Sequence, residues 1–100
     1  MYAVINHLPV RSDADWADIA AKFQAFADGV AASFPQMKTA VLTRVSDVEM
    51  IFTGVYADRA TAEHVSSNVA APWFAENIRP YLAGPANRSA GEVVAGFVRG

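Results

Sequence analysis

The sequence has no cysteine, little charge and no long apolar run, and each absence removes a class of protein. Without cysteine there can be no disulfide, iron–sulfur cluster or thiolate zinc site. The 8 basic and 10 acidic residues are scattered, with a net charge of −2, so no basic patch predicts a nucleic-acid partner. No apolar run approaches the roughly 20 residues of a membrane span, and no signal-peptide pattern opens the chain. We therefore expect a cytoplasmic protein with no nucleic-acid or membrane partner.

Familiar catalytic and cofactor motifs are also missing. The chain has no glycine-rich phosphate loop, dinucleotide fingerprint, nucleophile elbow, HExxH or EF-hand pattern. Its two histidines, His7 and His64, fall on different predicted elements, and Glu63 would face another side of a helix from His64. We expect no metal and no organic cofactor, so a substrate of this protein would have to bring its own reactivity.

What the chain does have is a high apolar content. Hydrophobic residues make up 53% of its 100 residues, above the roughly 45–50% of an ordinary soluble domain. The length predicts a single domain over residues 1–100. An apolar excess in so short a chain indicates a buried surface in addition to the core.

Hydrophobic periodicity predicts the element order β–α–β–β–α–β. A first strand lies within 1–10, and a helix follows over 12–34 with Ser12 and Asp15 as a capping box. The remaining elements are strands over 37–45 and 48–57, a helix over 59–69 capped by Asp58, a helical segment over 72–82 opened by Pro72, a loop over 84–91 and a last strand over 92–98.

This order is typical of the α+β ferredoxin-like fold, in which two helices cover one face of a four-stranded antiparallel sheet. Apolar residues stand next to each other on the strands, as in Val4 and Ile5 or Val93 and Val94, so apolar side chains point to both faces. The helices can bury only one face. We therefore predict a homodimer that packs through the open sheet face.

The space between sheet and helices is a natural apolar cavity in this architecture. The side chains expected to line it are Asn6, Tyr56, His64, Trp73 and Phe74. Each also has a structural interpretation: a hydrogen-bonded asparagine, a core tyrosine, a structural histidine and a hydrophobic plug. By strand alternation His7 points away from Asn6, towards a dimer interface or solvent.

The stretch "ATAEHVSSNVAAPWFAENIRPYLAG" (60–84), together with the element order, resembles the antibiotic biosynthesis monooxygenase superfamily. Its second helix commonly carries an Ala-x-x-His-x-x-Ser-like pattern followed by an aromatic residue, here Ala60, Thr61, Ala62, Glu63, His64, Ser66, Ser67, Trp73 and Phe74. The resemblance implies a dimeric α+β barrel, and it implies that Asn6 lies on the helix-covered face of the first strand.

The resemblance further implies a cofactor-independent monooxygenase that oxidises a small phenolic, polyketide- or quinol-like substrate. Asn6 would stabilise the oxyanion and His64 would act as base, while Tyr56, Trp73 and Phe74 would bind the substrate. The haem-degrading branch fits less well, since the position of its later histidine falls near Phe74. A non-catalytic ligand-binding module and a structural dimeric module remain alternatives.

Overall fold

The computed structural model describes residues 1–99. Its elements are β1 Tyr2–Pro9, α1 Trp16–Ser33, β2 Met37–Ser46, β3 Glu49–Tyr56, α2 Arg59–Val65, a π-helical turn Ser66–Ala70, α3 Ala71–Asn77, a 3₁₀ turn Arg79–Tyr81 and β4 Asn87–Glu92. The four strands form one antiparallel sheet in the order β2-β3-β1-β4. This confirms the predicted α+β ferredoxin-like fold.

Aspartate caps open the two main helices. The Asp15 carboxylate accepts a hydrogen bond from the Asp18 N–H at 3.1 Å, so α1 begins at Trp16, a few residues later than the sequence predicted. The Asp58 carboxylate accepts one from the Thr61 N–H at 2.7 Å and starts α2 where predicted. Hydrogen bonds from Thr61 lower the pKa of the Asp58 carboxyl.

Pro72 interrupts the helical path that runs from α2 to α3. Proline has no N–H, so the hydrogen bond to the Asn68 carbonyl cannot form. The preceding Ala71 N–H instead reaches back five residues to the Ser66 carbonyl, which closes the π-helical turn between α2 and α3. One extra residue is thereby inserted into an otherwise continuous helical path.

The core lies between the sheet and the helices and is centred on aromatic side chains. Phe23 of α1 meets Phe52 of β3 edge-on, with ring centroids 5.7 Å apart. Phe26 stacks on Trp73 at 4.4 Å, and Phe52 meets Phe74 at 5.4 Å. Aromatic packing of this kind ties α1 and α3 to the centre of the sheet.

The predicted position of the fourth strand is wrong. The strand covers Asn87–Glu92, which the sequence assigned to a loop, and no strand covers 93–98 within the described chain. Backbone pairing with β1, from Tyr2 opposite Glu92 to His7 opposite Asn87, specifies β4. Every residue of β4 is exposed, so no alternating apolar pattern marks it.

The other face of the sheet carries aliphatic and threonine side chains. Ile5, Thr53 and Val41 stand abreast across β1, β3 and β2, and Val41 is 46% exposed. His7 lies on this face as alternation requires, 3.6 Å from the Glu49 carboxylate. Among residues 1–99, no helix has the length and apolar character needed to cross a membrane.

A matched pair of glycine substitutions tests the packing. A Cβ at Gly54 would lie 3.1 Å from the ring and hydroxyl of fully buried Tyr56 and 3.3 Å from the Met37 terminal methyl. We expect Gly54→Ala to lower the free energy of unfolding by about 1–3 kcal/mol in urea titrations. Gly29→Ala, in α1 with nothing within 4 Å, should raise it by roughly 0.5–1 kcal/mol. Equal effects would contradict this account of Gly54.

Candidate functional site

A cavity of about 660 Å³ lies between the sheet and the helical segment formed by the π-helical turn and α3. Its floor comes from β1, β3 and β4, its roof from the π-helical turn and α3, and its side from the segment 82–86. The volume falls within the range of small-molecule sites. We treat this cavity as the candidate site.

Strand register places three unlike side chains in a row across the floor. Asn6 of β1 stands opposite Phe52 of β3 on one side and opposite Arg88 of β4 on the other. All three line the cavity. Directly opposite side chains in antiparallel strands are near enough to act on one ligand. The floor therefore combines an aromatic ring, an amide and a cation.

Asn6 is half-buried, and its amide has no hydrogen-bond partner within residues 1–99. Its neighbours on the same face, Val4 and Leu8, are buried and apolar, so the strand offers no nearby polar group. A half-buried amide without a protein partner is available to a ligand.

Small side chains form most of the roof. Ser66 and Ala70 of the π-helical turn and Ala71 and Ala75 of α3 line the cavity, with Phe74 as the one large side chain among them. Alanines leave room that longer side chains would fill. The π-helical turn, a feature often found at functional sites, thus forms part of the cavity roof.

Two arginines at the cavity were missed in the sequence. Arg79 opens the 3₁₀ turn after α3, and Arg88 lies on β4. Within the described chain, no aspartate or glutamate lines the cavity beside them. Arg88 was hidden because its segment was assigned to a loop; correct pairing of β4 with β1 would have placed it beside Asn6.

Of the residues predicted to line the site, Asn6 and Phe74 do so. His64 is exposed on α2 outside the lining, where the Asn68 Nδ2 lies 3.3 Å from its Nδ1. Trp73 is half-buried and turned towards α1, stacked on Phe26. The structure therefore does not bring His64 or Trp73 together with Asn6.

Tyr56 lies outside the cavity lining, with a side chain that is 0% exposed. Burial raises the pKa of the Tyr56 hydroxyl, an effect opposed by the nearby Ser66 hydroxyl and by the charge of Arg88. Among residues 1–99 no group, Ser66 included, offers this hydroxyl a hydrogen bond of ordinary geometry. Tyr56 is part of the core.

No family model and no curated protein sequence matches this chain. Several solved structures do match it in fold. A proposed antibiotic biosynthesis monooxygenase from Caulobacter crescentus shares 21% identity, with 94% of this chain and 90% of that chain covered, at a TM-score of 0.79. SnoaB, a cofactor-independent oxygenase from Streptomyces nogalater, shares 14% identity over 95% and 94%, at 0.73. Rv0793 from Mycobacterium tuberculosis shares 20% over 95% and 96%, at 0.73.

At these identities the likeness shows a shared fold. The resemblance to antibiotic biosynthesis monooxygenases, expected from residues 60–84 and from the element order, is confirmed at that level. The comparisons assign no substrate and no site residue to this chain. Those assignments have to come from the cavity.

The substitution Tyr56→Phe tests whether Tyr56 belongs to the core or to the site. Removing a buried hydroxyl without a partner should raise the free energy of unfolding by about 1 kcal/mol, measured in urea. Ligand binding in the cavity should not change, because Tyr56 does not line it. Tyr2→Phe, at a half-buried ring beside Arg59, is the control. A loss of stability in Tyr56→Phe would instead indicate a hydrogen bond to Ser66.

Proposed function

We propose that this chain is an oxygenase of the antibiotic biosynthesis monooxygenase type, oxidising a small phenolic substrate with molecular oxygen and no metal or flavin. The observation that carries the proposal is the amide of Asn6, unpartnered on the floor of a largely apolar cavity. SnoaB, which has the same fold, is described as a cofactor-independent oxygenase.

The reaction needs no reductant other than the substrate. A phenol and O₂ give a quinone and water: one oxygen atom joins ring carbon, and the other leaves as water with two hydrogens of the substrate. The phenol first loses its proton to solvent. The phenolate then donates electrons to oxygen, a carbon–oxygen bond forms, and loss of water from the resulting hydroperoxide breaks the O–O bond and leaves the new carbonyl.

Asn6 would act on the charged oxygen of the substrate. Its side-chain N–H can donate a hydrogen bond to the phenolate, and the apolar walls strengthen that bond by keeping water away. Phe52, next to Asn6, and Phe74 in the roof offer surfaces for an aromatic ring. The protein thus supplies binding, orientation and charge stabilisation, and the substrate supplies the electrons.

The donor set of the cavity favours this chemistry over haem or metal chemistry. Within residues 1–99 no histidine, cysteine or carboxylate lines the cavity, and no three such side chains cluster anywhere. Iron in haem enzymes is held by histidine, cysteine, methionine or tyrosine, and none of these side chains lines the cavity in the described chain. The lining suits an organic substrate.

The proposal includes a homodimer through the open sheet face. That face presents aliphatic and threonine side chains, with Ile5, Thr53 and Val41 in its central row. Covering it with the same face of a second copy would bury those side chains and leave the cavity, on the opposite side of the sheet, free for substrate.

Light scattering at micromolar concentration tests the dimer. The native chain should have the mass of two copies. Val41→Lys, at a side chain 46% exposed on the open face, should give one copy because it places a charge in the interface. Val48→Lys, at a valine 52% exposed on the turn after β2, should leave the dimer intact. A monomeric native chain would contradict this part of the proposal.

Oxygen uptake with dithranol, a hydroxylated anthrone that oxidises to an anthraquinone, tests the reaction. The native chain should accelerate uptake above the spontaneous rate. Asn6→Ala should lower kcat/KM by roughly 10²-fold because the oxyanion loses its donor. Asn6→Asp should be at least as slow, since a carboxylate repels a phenolate.

His64→Ala is the matched control for that experiment. Because His64 lies outside the cavity, its loss should leave kcat/KM unchanged. Full activity of Asn6→Ala would remove Asn6 from the chemistry. Binding of dithranol without faster oxygen uptake would favour the non-catalytic ligand-binding module instead.

A further inference from the structure

We infer that Arg79 and Arg88 bind a carboxylate, so that the cavity selects aromatic carboxylic acids. The identification of that acid as a substrate rests on the proposed function; its binding rests on the cavity alone. The inference starts from two exposed arginines that line one cavity, Arg79 in the 3₁₀ turn and Arg88 on β4, with no acidic side chain beside them in the described lining.

These two arginines differ from the other cations of the chain. Of the 8 lysines and arginines, only Arg79 and Arg88 lack a side-chain or carbonyl partner within residues 1–99. The others have one: Arg11 with Asp13 (3.1 Å), Lys22 with Asp18 (3.0 Å), Lys38 with the Pro35 carbonyl (3.1 Å), Arg44 with Asp47 (2.6 Å), Arg59 with Glu63 (2.8 Å) and Arg99 with the Phe97 ring (5.0 Å).

The chain segment that joins the two arginines also lines the cavity. Arg79 stands on the helical side and Arg88 on the sheet beside Asn6, and residues 82–86 run between them along the cavity wall. One short stretch of chain thus carries two positive charges to one cavity, in a protein whose net charge is −2. An anionic ligand would supply the missing partner for both guanidinium groups.

The remaining lining indicates what carries the anion. Asn6 and Ser66 are the other polar side chains in the described lining, and apolar ones such as Phe74, Leu82 and Pro85 make up the rest. Such walls suit an aromatic body and offer few partners for a sugar or a nucleotide. The planar guanidinium fork matches a carboxylate, with two parallel hydrogen bonds. An aromatic acid fits both parts of the cavity.

Fluorescence titration of the full chain with anthracene-2-carboxylate and anthracene-2-carboxamide tests the inference. The two probes share a ring system and differ in charge. The native protein should bind the acid about tenfold or more tightly than the amide, the scale of a charge-assisted hydrogen bond. Raising salt from about 50 to 300 mM should weaken binding of the acid and leave the amide unaffected.

Replacing each arginine by neutral glutamine tests whether its charge causes the preference for the acid. Arg79→Gln and Arg88→Gln should each reduce the acid-to-amide ratio several-fold, and the double variant should bring it close to one. Arg59→Gln, at an exposed arginine paired with Glu63 outside the cavity, should keep the native ratio. Circular dichroism checks that the variants are folded, and the salt dependence of the native chain gives a readout that needs no variant.

Two results would overturn the inference: equal affinity of the native protein for acid and amide, or an undiminished acid preference in the double variant. Neither result depends on turnover, so the proposed reaction is judged separately. An acid preference without accelerated oxygen uptake would contradict the proposed function and support the carboxylate site. Accelerated dithranol oxidation without an acid preference would support the proposed function and contradict the carboxylate site.

Discussion

The antiparallel pairing of β1 with both β3 and β4 is the constraint on which the site depends. Because side chains alternate along a strand, Asn6 faces the helices while His7 faces the open side of the sheet. A slip of one residue would exchange the two. The same register puts Phe52 and Arg88 on either side of Asn6. Backbone hydrogen bonds thus set the order of ring, amide and cation before any ligand enters.

Packing on the helical side decides where space is left above that row. Trp73 turns towards α1 and stacks on Phe26, so its ring fills space in the aromatic core rather than in the cavity. Phe74, one residue further, reaches the cavity. The π-helical turn that precedes Pro72 puts Ser66 and small neighbours at the cavity, across from β1. The sequence left open whether these aromatic side chains plug the space or line a cavity. In the structure Trp73 packs in the core, and Phe74 lines the cavity beside it.

Elements specified by their own residue pattern could be predicted from the sequence, whereas an element specified by pairing with a distant strand could not. The element order followed from strong periodicity in α1 and β3, both of which bury one face. The fourth strand did not, because Asn87–Glu92 is exposed throughout and is specified by its pairing with a strand far away in the chain. His64 was predicted to line the cavity, but the buried face of α2 consists of Ala62 and Val65, and His64 is exposed. The missed strand concealed the arginine on β4.

Charge balance links the arginines to the reaction. The reactive form of a phenolic acid carries two negative charges, one on the carboxylate and one on the phenolate. Arg79 and Arg88 bring two positive charges to the cavity, and no acidic residue lines it within 1–99. Because opposite charges attract each other across the cavity, this balance favours the ionised phenol over the neutral one. Asn6, which cannot take up the proton, then needs only to hold the oxygen that has lost it. A neutral phenol would leave the cavity with one unbalanced positive charge, and so the groups that select the acid would also favour the charge state that reacts with oxygen.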